Sequence, residues 1–424
     1  MSDATKAHGT STTVTTAAAS RQFGSAVTAI ETIRSTLQPN VTFVAVHDSE
    51  GNVGLGETFY GASSVEAHIH DVAGPILRTT HSHSPSAVAA ALSGYVGYSG
   101  SGAEVRAQSA IDIALWDLLA KRAELPLRNL LGGPVRDSID VYNTCSGNSY
   151  VNAESRQSSS NWGIGVGGKP DAPYEDLWAF LNQPGRLAKE LLDQGIRGMK
   201  VWPFDLVAEL SGGSHTTDLS FGLGVLDEIR SSVGDAMDLY VELHSLWLPR
   251  GADRLFRELE RFDPVWVEDP IRADHSEALS RLRDSTNVPI AVGENLGAGV
   301  NGYKRLFDAR SVDVAIIDLG WGGGVTQGLK VASLAEQYGI PVAPHDCTGP
   351  VSLAVATHFV TAISNGFVQE ISRAFYHGWY QEMAEGLPEV AEGRIRPGDS
   401  PGHGVTLRPD FLHSPATTVR RFEL

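Results

Sequence analysis

The chain has 424 residues, of which 42% are hydrophobic and 20% are charged, as expected for a globular protein with a large barrel or two ordinary domains. Its formal net charge of −17 at pH 7 argues against nucleic-acid or anionic-membrane partners, which need a basic surface. The two cysteines are too few for a disulfide framework, and neither a signal-peptide core nor a membrane span is predicted, so we expect a cytoplasmic protein.

The first part of the chain predicts a tail followed by a mixed domain. Residues 1–20 are rich in Ser, Thr and Ala and are expected to form a low-complexity tail. Two alternating strands joined by a turn are predicted within residues 41–57, and a helix with one apolar face is predicted over residues 110–121. These patterns indicate an α+β capping domain over residues 21–138, with residues 388–424 packing back on it.

Residues 139–387 alternate short Val/Ile-rich runs with helical patterns, which is typical of β/α units around a parallel sheet. The predicted strands span residues 139–144, 198–201, 238–243, 265–267, 289–292, 312–317, 341–343 and 366–369. So many strands, most of them followed by a helix, favour a closed barrel over an open sheet. We therefore predict an α/β protein: a TIM-type (β/α) barrel, modified to about seven or eight units, with the α+β capping domain built from the N-terminal segment and the C-terminal tail.

One polar residue stands near the end of each later strand. These residues recur about every 25 positions, the length of one β/α unit, and they are Glu242, Glu268, Glu294, Asp318, His345 and Glu370. Any one of them alone would more often be a helix cap or a solvated loop residue. Together they are predicted to project from one rim of the barrel, where barrel enzymes have their active sites.

Glu242, Glu268 and Glu294 are the predicted metal ligands. Three converging carboxylates repel each other strongly unless a cation lies among them. Ligation by oxygen alone favours a hard divalent ion. Mg²⁺ is therefore the expected ion, with Mn²⁺ as the alternative.

Four further side chains are candidates for proton transfer and charge stabilisation. Asp318 beside His345 would fix the tautomer of the imidazole and raise its basicity, which makes a general base. His244 lies two residues after Glu242, so the period of a strand places it on the same face, where it would protonate a leaving hydroxyl. Lys200, at the end of the second strand, would bring an ammonium to the substrate carboxylate or to the developing enediolate.

Some features admit two interpretations. Glu370 is either a hydrogen-bonding partner of the reaction intermediate or a cap for the loop that follows. The glycines at 322–324 are better explained as a permissive turn than as a phosphate cradle, because they lack the spacing of such a motif. Arg250, Arg272 and Arg373 lie near strand ends and are candidates for binding a second substrate carboxylate, or are simple surface charges.

The residues described so far resemble the mandelate racemase and muconate lactonising branch of the enolase superfamily, over nearly the whole chain. The segment 109–133 is similar to the end of that family's capping domain, and the VEDP and GEN motifs occur in family order. The resemblance implies a homo-oligomer whose substrate-selecting capping loops lie near residues 25–29 and 59–63. It also implies roles as magnesium ligands for Glu242, Glu268 and Glu294, as the base pair for Asp318 and His345, and as the acid facing the intermediate for Glu370.

One departure from the family pattern bears on the reaction. Racemases and many lactonising enzymes present Lys-x-Lys on the second strand, whereas Trp202 here follows Lys200 at the second position. The pairing of Glu242 with His244 is instead similar to the Asp-x-His of galactonate-type acid-sugar dehydratases. We predict a lyase that removes the α-proton of a sugar acid and eliminates the β-hydroxyl to give a 2-keto-3-deoxy acid. A cycloisomerase acting on a sugar lactone or anhydro-sugar acid, and a catalytically silent metal-binding barrel, are the alternatives.

Overall fold

The computed structural model describes residues 26–93, 100, 102–152, 173–296 and 299–424. The predicted tail at residues 1–20 lies outside these ranges. The chain begins with an antiparallel sheet followed by helices: β1 (Val27–Ser35), β2 (Gln38–Asp48), β3 (Val53–Phe59), α1 (Ala62–His68), α2 (Gly74–Thr79), α3 (Pro85–Leu92), α4 (Ala103–Arg122) and α5 (Leu127–Leu130).

The barrel follows, and its strands and helices alternate along the chain. Its strands are β4 (Ile139–Thr144), β5 (Gly198–Val201), β6 (Asp238–Glu242), β7 (Trp266–Glu268), β8 (Ile290–Val292), β9 (Val314–Ile317), β10 (Val342–Pro344) and β11 (Gln369–Ile371). Its helices are α6 (Asp176–Asn182), α7 (Pro184–Asp193), α8 (Asp205–Ser211), α9 (Ser220–Val233), α10 (Pro249–Leu259), α11 (Ser276–Asp284), α12 (Val300–Asp308), α13 (Gly324–Gln337) and α14 (Pro350–Ala362).

The strands β4 to β10 pair in parallel in chain order, and the sheet closes on itself. Strand β11 pairs in parallel with β4, where Glu370 lies opposite Tyr142. A parallel bridge between Val342 and Gly366 joins the β10 strand to the segment that leads into β11. The predicted fold, a modified TIM-type barrel with an α+β capping domain, is confirmed. The last barrel strand, β11, begins at Gln369, whereas the predicted strand began at residue 366.

The C-terminal part contributes to both halves of the molecule. It contains α15 (Arg373–Tyr376), α16 (Trp379–Met383), β12 (Ala384–Glu385), β13 (Glu389–Ala391), β14 (Arg394–Arg396), β15 (Thr406–Leu407), α17 (Pro409–Leu412) and β16 (Thr417–Glu423). Strand β16 joins the capping sheet, whose order is β16-β1-β2-β3. Strand β14 instead pairs with β4 of the barrel, where Ile395 lies opposite Ile139. The expectation that all of residues 388–424 pack on the capping domain is therefore too simple, and we propose a barrel domain that begins at Ile139 and includes the β13–β14 hairpin.

Strand β1 replaces the capping loop expected near residues 25–29. Val27 and Ala29 are buried, and Ala29 pairs with Glu423 of β16. The pairing of β1 with β2 shifts register between Val27 and Ala29, and such a bulge interrupts the alternation of buried and exposed residues. The expectation was therefore wrong for residues 27–29, which form part of the capping sheet.

Aromatic side chains fill the barrel below the rim. The ring of Tyr240 lies 4.5 Å from that of Tyr142 and 4.5 Å from that of Trp266, measured between centroids. Gly198 leaves room for this layer, because a Cβ atom there would lie 2.5 Å from Cβ of Tyr142. Because side chains alternate along a strand, a residue two positions further along the chain points to the same side of the strand and lies closer to the rim. Lys200, two positions after Gly198, is buried in this next layer.

Helix α4 of the capping domain packs directly on the turn that follows β9. Ser109 Oγ accepts a 2.8 Å hydrogen bond from the backbone N–H of Gly323, and Asp112 Oδ2 accepts a 2.9 Å bond from that of Thr326. Gly323 and Gly324 have φ values of 99° and 81°, and a Cβ atom on Gly324 would lie 2.3 Å from Asp112 Oδ2. The prediction of a permissive turn is confirmed: the glycines allow the two domains to approach closely.

Candidate active site

Three carboxylates meet at the rim of the barrel. Glu242, Glu268 and Glu294 each offer an oxygen atom, and these atoms lie within 4.8 Å of one another. All three residues are buried. Glu242 Oε1 accepts hydrogen bonds of 3.0 and 2.7 Å from the backbone N–H groups of Leu243 and His244, which fixes its direction. Convergence of this kind requires β6, β7 and β8 to be adjacent, as their parallel pairing shows.

The ammonium of Lys200 lies among these carboxylates. Its Nζ atom is 2.7 Å from Glu370 Oε1, 3.1 Å from Glu268 Oε2 and 3.7 Å from Glu242 Oε2. Burial lowers the pKa of Lys200, but the neighbouring carboxylates outweigh it and raise this pKa well above its ordinary value. Lys200 is therefore a permanent cation that neutralises part of the acidic cluster.

The cluster has the features of a site for a divalent cation. Burial raises the pKa of Glu268 well above its ordinary value, Lys200 opposes this rise, and repulsion from Glu242 and Glu370 adds to it. Glu268 Oε1 is buried and has no hydrogen-bond partner among the described residues. A buried acceptor without a partner is costly, and a hard cation would satisfy it together with the oxygens of Glu242 and Glu294. These residues fit Mg²⁺ or Mn²⁺, and they do not fit a thiolate-bound metal.

On one side of the cluster lies a pair formed by His345 and Asp318. Nδ1 of His345 is 2.7 Å from Asp318 Oδ2, and Nε2 is 3.0 Å from Glu294 Oε2. The indole ring of Trp321 packs against the imidazole, with 4.9 Å between centroids, and its backbone N–H donates to Asp318 Oδ1 at 2.9 Å. Burial lowers the pKa of His345, but the carboxylates around it, Glu294 foremost, raise it well above its ordinary value.

A second pair, His244 and Asp205, lies near the cluster on the side of β5 and β6. Nδ1 of His244 is 2.6 Å from Asp205 Oδ2. Burial lowers the pKa of His244, but Asp205 and Glu242 raise it to about 9. Burial raises the pKa of Asp205 to about 6, against the effect of His244. At neutral pH the pair therefore consists of an imidazolium and a carboxylate.

The prediction that His244 lies on strand β6, on the same face as Glu242, was wrong, because β6 ends at Glu242. His244 and Ser245 have φ values of 46° and 59°, so the chain turns instead of continuing the alternation of a strand. The Glu242 carboxylate accepts hydrogen bonds from two backbone N–H groups of this turn and so stabilises it. His244 keeps contact with the cluster through its backbone bond to Glu242 and through the electrostatic effect of Glu242 and Glu294 on its pKa.

Glu370 is held by the protein on both oxygens. Oε1 accepts hydrogen bonds from the hydroxyl of Thr144 and from Lys200, and Oε2 accepts a 2.8 Å bond from the backbone N–H of Asp346. Burial raises its pKa, but Lys200 and His345 outweigh that effect and lower the pKa below its ordinary value. Through Asp346, Glu370 holds the loop after β10 and not the loop that follows Glu370 itself, so these contacts do not decide between its two interpretations.

Trp202 offers no base, and two of the three arginine candidates are engaged in ion pairs. The Trp202 ring is buried between Tyr150 and Phe180, at centroid distances of 5.5 and 5.1 Å. Arg373 forms a buried ion pair with Asp176, and Arg272 is exposed and pairs with Asp274. Arg250 is exposed at the start of α10.

Asp205 was missed by the sequence reasoning. It lies in the WPFD segment that follows Lys200 and begins helix α8, where an acidic residue is ordinarily explained as favourable to the helix dipole. Its partner His244 is 39 positions away. The only available signal was its place just beyond the end of a barrel strand, which is where barrel enzymes carry functional residues.

The fold and the rim together define a class: an eight-stranded barrel with an α+β cap and clustered carboxylates at its strand ends is the enolase type of barrel. The chain belongs to the mandelate racemase/muconate lactonizing enzyme family. Residues 184–411 match the enolase C-terminal domain-like family, and residues 11–132 match the mandelate racemase/muconate lactonizing enzyme N-terminal domain. No helix within the described ranges is both long and apolar enough to cross a lipid bilayer.

Several acid-sugar dehydratases are similar to this chain in sequence or in structure. The chain is 28% identical to the D-galactonate dehydratase of Xanthomonas oryzae pv. oryzae, over 88% of this chain and 90% of that protein. An enolase protein from a Sargasso Sea environmental sequence superimposes with a TM-score of 0.82 at 35% identity, covering 95% of this chain and 100% of the other. The L-talarate dehydratase of Polaromonas sp. JS666, in complex with Mg and L-glucarate, superimposes with a TM-score of 0.72 at 25% identity, covering 95% and 100%.

Proposed function

We propose that this protein is a magnesium-dependent dehydratase that converts a sugar acid into a 2-keto-3-deoxy acid. The observation that carries the proposal is the presence of two histidine–aspartate pairs, His345 with Asp318 and His244 with Asp205, beside one triad of buried carboxylates. Elimination of water needs one group to take a proton and another to deliver one. The relationship to D-galactonate and L-talarate dehydratases supports the same reaction class.

Glu242, Glu268 and Glu294 are the residues that would hold the magnesium ion. When bound, the ion supplies positive charge that stabilises the negative charge developing on the substrate carboxylate. Lys200 contributes a second, permanent positive charge within the same cluster, 3.1 Å from Glu268. The two cations together would offset the repulsion that Glu268 experiences from its neighbours.

His345 is the proposed general base. Asp318 accepts the proton of Nδ1 at 2.7 Å. A cation held by Glu294 would offset the main cause of the raised pKa of His345, which would leave Nε2 unprotonated and able to take the α-proton. The 3.0 Å separation of Nε2 from Glu294 supports this assignment, because the substrate carboxylate would bind beside that residue. The indole of Trp321 restricts the ring from one side.

His244 is the proposed general acid. Its pKa of about 9 keeps it protonated at neutral pH, because Asp205 and Glu242 stabilise the imidazolium against burial. Asp205 holds the Nδ1 proton, so the proton delivered to the departing β-hydroxyl comes from Nε2. Trp202, at the position where racemases carry a second lysine, lies T-shaped to the His244 ring at 6.0 Å and offers packing without proton transfer.

The test is incubation of the protein and Mg²⁺ with a panel of aldonates and aldarates in deuterated water. We expect deuterium to enter the α-position and a 2-keto-3-deoxy acid to form with at least one of them. The variant His345→Asn should lose both, while the exposed His413→Asn serves as the matched control. A sugar lactone and an anhydro-sugar acid are included in the panel, and their conversion to a ring-opened isomer without loss of water would assign a cycloisomerase. Absence of exchange and product in the unaltered protein, with the acids binding it and His345→Asn alike, would assign a barrel that only binds a ligand.

A further inference from the structure

A guanidinium from the capping domain lies just beyond the candidate base. Arg106, in the first turns of α4, donates from Nη1 to the carbonyl oxygen of Phe59 at 2.7 Å. Its Cζ atom is 4.4 Å from the ring centroid of Trp321 and 5.8 Å from that of Tyr60. His345 contacts the same indole ring, with 4.9 Å between centroids, so Arg106 and the proposed base share Trp321 as a neighbour.

Arg106 lacks the acidic partner that comparable arginines have. Arg34, Arg122 and Arg373, which are also sheltered from solvent, each contact a carboxylate at 3.0 Å or less. Within the residues that the structure describes, no carboxylate lies within ion-pair distance of Arg106, and its Nη1 atom donates to a neutral carbonyl. Burial lowers its pKa, while the more distant Asp318 raises it. A sheltered cation without an anion next to it favours binding of one from outside.

The guanidinium of Arg106 lines a cavity next to a neighbour of the carboxylate triad. A cavity of 360 Å³ is lined by Tyr60, Ser64, Arg106 and Asn295, with small residues completing the wall. Asn295 follows Glu294 in the chain, and its Nδ2 atom donates to Glu294 Oε1 at 2.8 Å. The cavity that Arg106 lines is therefore also lined by a residue, Asn295, that contacts the proposed metal ligand Glu294.

We infer that Arg106 binds a second carboxylate, at the end of the substrate opposite to the one held at the triad, and that the preferred substrates are therefore aldarates, with acid groups at both ends. This inference rests on the proposed function. One nitrogen of Arg106 stays on the Phe59 carbonyl, and the remaining N–H groups donate to the carboxylate in the planar arrangement that guanidinium groups favour. An aldonate ends in a neutral hydroxymethyl group, which cannot form an ion pair with this guanidinium. Of the arginines near strand ends, Arg373 and Arg272 are already paired with carboxylates.

The test compares aldarate and aldonate of the same configuration, such as galactarate with galactonate, for several configurations. A hydrogen-bonded charge pair of this kind contributes about 1.5–3 kcal/mol, so kcat/KM of the unaltered protein should favour the aldarate about 10- to 100-fold. The variant Arg106→Gln should lose this preference while keeping turnover of the aldonate. Arg281→Gln, which removes an equal charge from the exposed side of α11, should leave the preference unchanged.

Binding gives a second readout that does not depend on turnover. In a His345→Asn background, calorimetry should show that Arg106→Gln weakens aldarate binding about 10- to 100-fold and leaves aldonate binding nearly unchanged. Arg106→Lys keeps the charge but not the planar donor set, so its aldarate affinity should lie between those of the proteins with Arg106 and with Arg106→Gln. This variant replaces Arg106→Gln in the test if Arg106→Gln does not fold.

The outcomes separate this inference from the proposed function. Equal kcat/KM for aldarate and aldonate, or an equal loss for both in Arg106→Gln, would overturn the inference and leave dehydration in place. Failure of every acid to exchange its α-proton would contradict the proposed function, and the inference would then be judged on binding alone: equal affinity of the His345→Asn protein for the two acids overturns it.

Discussion

Asp205 Oδ2 lies 2.6 Å from Nδ1 of His244, although 39 positions separate the two residues in the chain. Asp205 begins the helix after β5, and His244 lies in the turn after β6. The parallel pairing of these two strands brings both ends to the same rim. The aspartate keeps the imidazole charged, because it raises the pKa of His244 against the effect of burial.

The first prediction follows from this pair. Asp205→Asn should slow formation of the keto product about 10²- to 10⁴-fold, the usual contribution of a general acid, because His244 would no longer be held as an imidazolium. Exchange of the α-proton, which is assigned to His345, should continue. Nuclear magnetic resonance of the substrate in deuterated water measures both processes, and the exposed Asp218→Asn is the control. Loss of exchange and elimination in equal proportion would contradict the division of roles.

The carboxylate triad predicts a coupling between metal binding and stability. Mg²⁺ at about 100 times its Kd should stabilise the unaltered protein by about 2.7 kcal/mol, seen as a rise in Tm. Glu268→Gln should lose most of this rise and at least about 100-fold in kcat. In the presence of a chelator, however, Glu268→Gln should be the more stable protein, because it removes one of three mutually repelling buried charges.

Differential scanning calorimetry with and without Mg²⁺ checks both parts. Glu258→Gln, which neutralises an exposed carboxylate on the barrel helix α10, should behave like the unaltered protein in both conditions. A metal-free Glu268→Gln that melts below the unaltered protein would mean that Lys200 alone already balances the triad.

Part of this site could be predicted from the sequence because it depends on chain spacing alone. In a parallel barrel each strand begins one β/α unit after the last, so Glu242, Glu268 and Glu294 were expected at one rim, and their oxygen atoms do lie within 4.8 Å of one another. Their roles remain proposals. The boundaries of β4 and β5 also agree with the predicted strands at residues 139–144 and 198–201.

The missed parts depend on local conformations that no periodicity encodes. His244 leaves the strand pattern through a positive φ, so its pairing with Asp205 had no counterpart in the sequence. Arg106 was missed for a different reason: the predicted helix began at residue 110, whereas α4 begins at Ala103. Arg106 therefore lay outside every predicted element.

The interface between the two domains predicts a dependence of stability on pH. Glu57 of the capping domain accepts backbone hydrogen bonds of 3.0 and 3.3 Å from Val351 and Ser352 at the start of α14. Burial raises the pKa of Glu57 to about 7, although these N–H groups lower it. The folded protein therefore binds this proton more tightly than the unfolded chain does.

The sign of the effect follows from linkage. Between the unfolded pKa of 4.5 and the folded pKa of about 7, the folded state carries the proton that the unfolded state has lost, so stability falls as pH rises. The full penalty of about 3 kcal/mol is reached above pH 7. Glu57→Gln should reduce the fall in unfolding free energy between pH 5 and 8, measured with urea. The exposed Glu50→Gln should leave this pH dependence intact, and an unaltered slope in Glu57→Gln would exclude Glu57 as its source.

The last prediction concerns Arg373, a sequence candidate for substrate binding that the fold uses otherwise. Its guanidinium donates to both oxygens of Asp176 at 2.7 and 2.6 Å, with both residues buried. Arg373→Leu would leave the Asp176 carboxylate without its partner in a region where burial already raises its pKa. Breaking a buried pair in this way costs about 3–5 kcal/mol, and urea unfolding should show a loss of that size. Arg272→Leu, at the exposed pair with Asp274, should change stability by less than about 1 kcal/mol.

Because Arg373 is engaged by Asp176, its loss should leave the ratio of kcat/KM for aldarate and aldonate unchanged. A collapse of that ratio at unchanged stability would return Arg373 to the substrate-binding residues.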